Sequence, residues 1–226
     1  MTGNEKKKQL HLFHTSYFIP HTSARSGGFA LVELLVAVII FGIITTFVLL
    51  AYSKVSDQLF LTTLAYELAL SFREAQSYGV SVHQFGTGAS ATFDVGYGLH
   101  FDANSSNTYA LFADVGVDGF LNGSYGITYN QSGCINTTEC LSVSRLEKGN
   151  AIQKFCGVRA ADASEECSPS TTFLDVTFLR PNPDAIIKTS GSAPTVFYKA
   201  GRVYLISPKG NTRMVEVWNT GQISIK

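Results

Sequence analysis

Ser26-Gly27-Gly28-Phe29-Ala30-Leu31-Val32-Glu33-Leu34-Leu35-Val36-Ala37-Val38-Ile39-Ile40-Phe41-Gly42-Ile43-Ile44 is the stretch that decides how this chain folds. A flexible Gly27-Gly28 pair meets an aromatic residue, and an apolar run of about 24 residues begins at that junction. As a helix the run would be about 36 Å long, enough to cross a bilayer. It holds one carboxylate, Glu33. An acid in hydrocarbon costs about 2.5–3.5 kcal/mol on insertion scales, so it calls for a partner. The pattern predicts a helix that meets another charged group in an apolar environment; a single-pass anchor with an incidental Glu is the plainer alternative. A secretory signal fits less well, because its apolar core of about 7–15 residues precedes the cleavage site. Here the apolar run follows the glycines.

At Gly28, Phe29 and Glu33 the segment resembles the N-terminus of type IV prepilins and type II secretion pseudopilins. In that superfamily a Gly precedes a Phe that opens a hydrophobic helix with Glu as its fifth residue. The likeness covers roughly residues 26–55. It implies a prepilin peptidase that cuts between Gly28 and Phe29, and N-methylation of the new methylphenylalanine terminus. It also implies assembly with other pilins or pseudopilins by an inner-membrane platform and its ATPase. Simple electrostatics agrees. Cutting there creates a positive α-amine beside the apolar helix, and Glu33 of a neighbouring subunit shifted along the axis can neutralise it. Two unit charges a few Å apart at low effective dielectric interact by several kcal/mol before desolvation, enough to set subunit register.

Residues 1–28 read as a cytoplasmic leader, cleaved in the mature protein. Lys6, Lys7, Lys8 and Arg25 flank the apolar run on its N-terminal side, whereas the far flank has Lys54 balanced by Asp57. The positive-inside bias places the N-terminus in the cytoplasm and the head in the periplasm or outside the cell. His11, His14 and His21 are scattered through the leader without metal-ligand spacing. Without residues 1–28 the chain carries 13 basic and 16 acidic side chains, and charged residues make up only 15% of the whole, which argues against a polybasic nucleic-acid binder.

The expected fold class is α+β and pilin-like: one long helix over 29–78, its apolar half (29–52) spanning the membrane and its amphipathic half (53–79) packed on an antiparallel sheet. Leu61, Leu64, Leu68, Phe72 and Ala75 recur at helical steps along that second half, and Gly79 stands at the helix-stop position. Gly42 is a weak point within the apolar half, open to bending or to close helix packing. From Val80 to Lys226 the period changes to two, giving a β-rich head. Strands are expected at 91–95, 97–101, 109–113, 141–146, 172–179, 203–207, 212–218 and 223–225, with a hairpin turn at Pro208-Lys209-Gly210-Asn211. Phe93, Tyr97, Phe101, Tyr109, Phe112 and Phe120 have strand spacing and read as core and sheet faces.

Residues 130–172, low in hydrophobicity, read as a long excursion bearing Cys134, Cys140, Cys156 and Cys167. An even, clustered set in an exported domain favours two disulfides, and neighbour pairing, Cys134–Cys140 and Cys156–Cys167, is the choice made among three connectivities. A zinc site is the competitor, disfavoured by the spacing and the lack of a nearby His. Asp114, Asp118 and Asn122 in a Gly-rich loop are weak calcium candidates, against a plain β-turn. No cofactor is otherwise expected. No nucleophile elbow, P-loop or dinucleotide fingerprint is present, and His83 and His100 read as strand histidines without an acid partner, so no enzymatic activity is expected. Lys199, Arg202, Lys209 and Arg213 form a modest basic cluster near the C-terminal hairpin. The section 172–226 resembles, more loosely, the H-type minor pseudopilins. The function expected is therefore a minor pilin or pseudopilin. The alternative is a pilus-tip subunit that binds DNA or a surface through residues 130–172 or the basic hairpin.

Overall fold

The computed structural model describes residues 30–81, 84–85, 93, 95–115, 128–130, 133–135, 139–190 and 197–226. The leader with its three histidines, Gly28, Phe29, His83, Asp118, Phe120 and Asn122 lie outside these residues, as does most of the strand expected at 91–95. The chain divides into two compact units, Met1–Phe47 and Val48–Lys226.

One helix, α1 (Leu31–Val80), is unbroken over 50 residues. Its character changes because its sequence does. As far as Leu50 apolar side chains cover every face and remain exposed. Beyond that point one apolar stripe, Leu61, Leu64, Leu68, Phe72 and Ala75, is buried, while Leu59, Tyr66 and Leu70 remain exposed on another face.

In the second unit that stripe packs into one core with the inner faces of two five-stranded antiparallel sheets. The first sheet runs in the order β5 (Cys140–Arg145), β2 (Thr108–Asp114), β1 (Gly96–Asp102), β8 (Phe173–Phe178), β9 (Ala185–Thr189). The second runs β12 (Ile223–Ile225), β11 (Thr212–Trp218), β10 (Tyr198–Ile206), β6 (Ala151–Arg159), β7 (Glu165–Cys167). β3 (Thr128–Asn130) and β4 (Gly133–Ile135) form a separate two-stranded sheet, tied to β5 by the Cys134–Cys140 disulfide. Phe101 ties the layers together. Its ring centroid lies 5.9 Å from Phe72 on the helix, 5.8 Å from Tyr109 on the first sheet and 6.4 Å from Phe155 on the second. Aromatic contacts of this kind add to the area they bury.

Polar clamps fix the second half of α1 to the sheets near Asp57 and near Gln76. Asp57 accepts from the Ser207 hydroxyl and the Asn211 amide, each at 2.7 Å. At the other end the Gln76 amide donates to the carbonyls of Pro183 and Gly221, both at 3.0 Å.

Three expectations change. Gly79 does not stop the helix, which continues to Val80; a Cβ at 79 would run into the Phe178 carbonyl, so glycine lets the last turn lie against the β8 backbone. A Gly79→Ala variant is expected to be destabilised by about 1–3 kcal/mol, the usual range for overpacking, in chemical unfolding; an unchanged midpoint would contradict this close approach. Nor are residues 130–172 an excursion. They contribute β6, a nine-residue strand hydrogen-bonded to β10 and β7, with Ile152, Phe155, Cys156 and Val158 buried. Phe93, expected at a sheet face, is 46% exposed.

Candidate functional site

The site read from the sequence is the start of the apolar rod. Ala30 initiates it, since its carbonyl accepts from the amides of Glu33 (2.9 Å) and Leu34 (3.3 Å). Glu33 therefore lies in the first turn, where its negative charge meets the positive end of the helix dipole. Residues Leu31–Leu50 form a stretch long and apolar enough to cross a membrane, with none of it buried. Leu31 is 81% exposed and Phe47 71%. So large a contiguous apolar surface marks a membrane or partner site.

The other two polar side chains of this stretch are satisfied within the helix. Thr45 donates to the Phe41 carbonyl at 2.7 Å, and Thr46 to the Gly42 carbonyl at 2.8 Å. Among the described residues Glu33 has no such partner, so it is the one group here that can make a directional contact with another molecule. A Cβ placed on Gly42 would meet nothing within 4 Å, so nothing inside the protomer requires glycine there.

The remaining candidates sit in the head. Cys134 bridges Cys140, and Cys156 bridges Cys167 across β6 and β7. This occupies the sulfurs that a zinc site would need; Glu165 lies beside the second pair. Asp114 ends β2, and its side chain is buried.

His100 departs from its reading as an unpartnered strand residue. It stands opposite Asp175 across β1 and β8, with Nδ1 2.5 Å from Oδ1, both residues buried, and its ring stacks on Phe173. The two are 75 positions apart, too far for any local pattern to connect them.

The basic cluster is not a free patch either. Arg202 bonds Glu165 and Glu216, while Arg213 turns to Thr62 at 3.3 Å. Glu216 is fully buried, with Arg202 Nε at 2.6 Å on one oxygen and Lys226 Nζ at 2.6 Å on the other. Burial alone would raise its pKa, but the bonds from Lys226 and Arg202 outweigh this and hold it below the usual carboxylate value. Glu166 is also held low, first by the Tyr198 hydroxyl and, against the cost of burial, by Arg159. Neither carboxylate stood out in the sequence, because the signal is a cross-strand register rather than a motif.

The class these features define is an α+β, pilin-like protein: a long N-terminal apolar helix joined to an antiparallel β domain. The N-terminal segment is then more specific. Residues 23–49 match the prokaryotic N-terminal methylation motif, the signal of type IV pilins and pseudopilins. That motif implies processing by a prepilin peptidase and assembly with other pilins, and with the apolar helix it indicates membrane anchoring. No curated protein and no solved structure matches the chain.

Proposed function

We propose that the protein is a minor pilin or pseudopilin, a structural subunit of a type IV pilus or a type II secretion pseudopilus. It waits in the cytoplasmic membrane with its head on the far side, is cut after Gly28, and joins the filament through α1. The α-amine of Phe29 then meets Glu33 of a neighbouring copy or relative. The observation that carries this reading is the coincidence of the methylation motif with a span whose one outward-acting polar group is Glu33.

Replacing Gly28 by Leu tests it. The variant is expected to keep Met1 and the whole leader, whereas the wild-type chain begins at an N-methylated Phe29; intact-mass and N-terminal peptide measurements on membranes separate the two. A variant that matures normally would overturn the reading. The second reading, a filament-tip subunit that binds DNA or a surface through residues 130–172 or the basic hairpin, has less support, since Arg202 of that cluster bonds Glu165 and Glu216.

A further inference from the structure

Of the four outer strands of the two large sheets, three are guarded against pairing with another chain. β7 carries Glu165, Glu166 and the bridge from Cys167 to β6. β9 carries Lys188, with Pro183 close before it, and β5 is bridged through Cys140 to β4. β12 is Ile223-Ser224-Ile225, uncharged and open on its outer side among the described residues.

The register of β12 shows which of its backbone groups are unused. Met214 and Lys226 exchange N–H···O bonds at 2.9 and 2.8 Å, and the Trp218 amide donates to the Gln222 carbonyl at 2.8 Å. Bonded and unbonded pairs alternate along an antiparallel ladder. The bonded pair between these two is Glu216 with Ser224, so the N–H and C=O groups of Ile223 and Ile225 point away from β11. Their side chains pack on the core side, opposite Val217 and Val215, both fully buried.

Beyond that edge lies an open wedge of about 520 Å³ between β12 and α1, lined by Tyr66, Ala69, Leu70, Arg73, Ile223 and Ile225. Tyr66 and Leu70 are 63% and 65% exposed, large apolar side chains where a further strand of the sheet would put its own. Arg73 is exposed and has no ion-pair partner among the described residues. It lies about one turn before Gln76, whose amide holds the Gly221 carbonyl, so its charge stands near the start of β12.

We propose that this wedge accepts a β-strand from another protein. The incoming segment runs antiparallel to β12 and bonds the outward groups of Ile225 and Ile223. Two apolar side chains, spaced by one residue, then continue the rows Val215–Ile225 and Val217–Ile223 over Tyr66 and Leu70. An acidic side chain two positions further on reaches Arg73 and fixes the direction and register of the segment. A second copy paired edge to edge supplies no such group, since its own β12 holds no acid and Lys226 follows it. The site lies within Val48–Lys226 and stands whether or not the chain is cut after Gly28.

The probe is a capped Thr-Val-Thr-Val-Thr-Glu-Thr peptide, added to the full chain in detergent micelles with its disulfides intact, and the readout is amide hydrogen exchange at single residues. Without peptide, Ile223 and Ile225 should exchange fast while Ser224 and Lys226 are protected. Millimolar peptide should slow Ile223 and Ile225 about tenfold and leave Ser224 unchanged. The same peptide N-methylated at both valines keeps its side chains but lacks those donors, and should not protect. Arg73→Glu should weaken binding of the probe about fivefold, and a lysine in place of the probe's glutamate should restore it. No slowing, equal slowing by the N-methylated peptide, or an unchanged affinity in Arg73→Glu would overturn the proposal. Protection of Ile223 and Ile225 before peptide is added would overturn it too; if that protection rises with chain concentration, the occupant is a second copy.

Discussion

Replacing Glu33 by Ala is expected to leave the chain cut after Gly28 yet missing from the filament. The reason is the asymmetry of a buried ion pair. Its net worth is small while both partners are present, but removing one leaves the other charge stranded in an apolar setting at about 3–5 kcal/mol. Here the stranded group is the α-amine of Phe29 in the adjoining subunit. That penalty corresponds to a drop of roughly 10²–10³ in incorporation, since each 1.4 kcal/mol is tenfold. Membrane insertion should move the other way, by less than the roughly 2.5–3.5 kcal/mol that an acid costs at the centre of a span, because Glu33 lies in the first turn. A variant well inserted, processed and unassembled would therefore separate subunit pairing from anchoring. Glu33→Asp, which keeps the charge on a shorter stem, should recover part of the incorporation. Shearing filaments from cells and measuring the variant's share against the membrane pool gives the answer. Full incorporation of Glu33→Ala would refute the pairing.

The second large effect concerns the head. Arg202→Met is expected to cost about 3 kcal/mol in chemical unfolding, at the low end for breaking a buried pair because Lys226 still reaches Glu216. The double variant Arg202→Met, Glu216→Met should be closer to wild type, since two apolar side chains of similar volume replace the buried pair, and the partners it strands, Glu165 and Lys226, are exposed enough to be hydrated. Wild-type stability also has a defined pH dependence. Glu216, Glu166 and Asp57 all titrate below their ordinary values in the folded state: Glu216 because bonds from Lys226 and Arg202 outweigh its burial, Glu166 through the Tyr198 hydroxyl, Asp57 through Ser207 and Asn211. Each therefore adds stability above its unfolded pKa, 4.5 for the glutamates and 3.8 for Asp57, and that contribution disappears as pH falls through the depressed folded value. Unfolding midpoints should be level near neutrality and fall steeply below about pH 4.5. Glu216→Gln should flatten the fall, and a slope identical to wild type would show that this carboxylate does not carry it.

These head residues mark the limit of what could be read locally. The helix was legible almost to its end because its pattern is: apolar on every face to Leu50, then a stripe that the structure buries from Leu61 to Ala75. Strands β1, β2, β8 and β11 also announced themselves by alternation. β6 did not, because Gln153 and Lys154 interrupt its apolar residues and Cys156-Gly157 dilutes them, although it is hydrogen-bonded on both sides. β9 was hidden behind Pro183 and Asp184, and β10 begins at Tyr198, earlier than its apolar run. Glu216, His100 and Asp57 find their partners 10 to 154 positions away, which no window of sequence displays. In the site, Glu33 was visible because a lone acid in a greasy run is chemically conspicuous.

The bridge between Cys156 and Cys167 has a consequence for the timing of maturation. It ties the three-residue edge strand β7 to its neighbour, beside the ion pairs of Glu165 and Glu166 with Arg202 and Arg159 and the bond from the Tyr198 hydroxyl to Glu166. A newly made head facing a thiol-reducing compartment would have a frayed margin on its second sheet, open to added strands from elsewhere. Once the thiols are oxidised the margin is sealed covalently. On the proposed topology, acquisition of the finished outline is thereby tied to arrival on the oxidising side, and a population trapped before export should remain sensitive to proteases at 160–170.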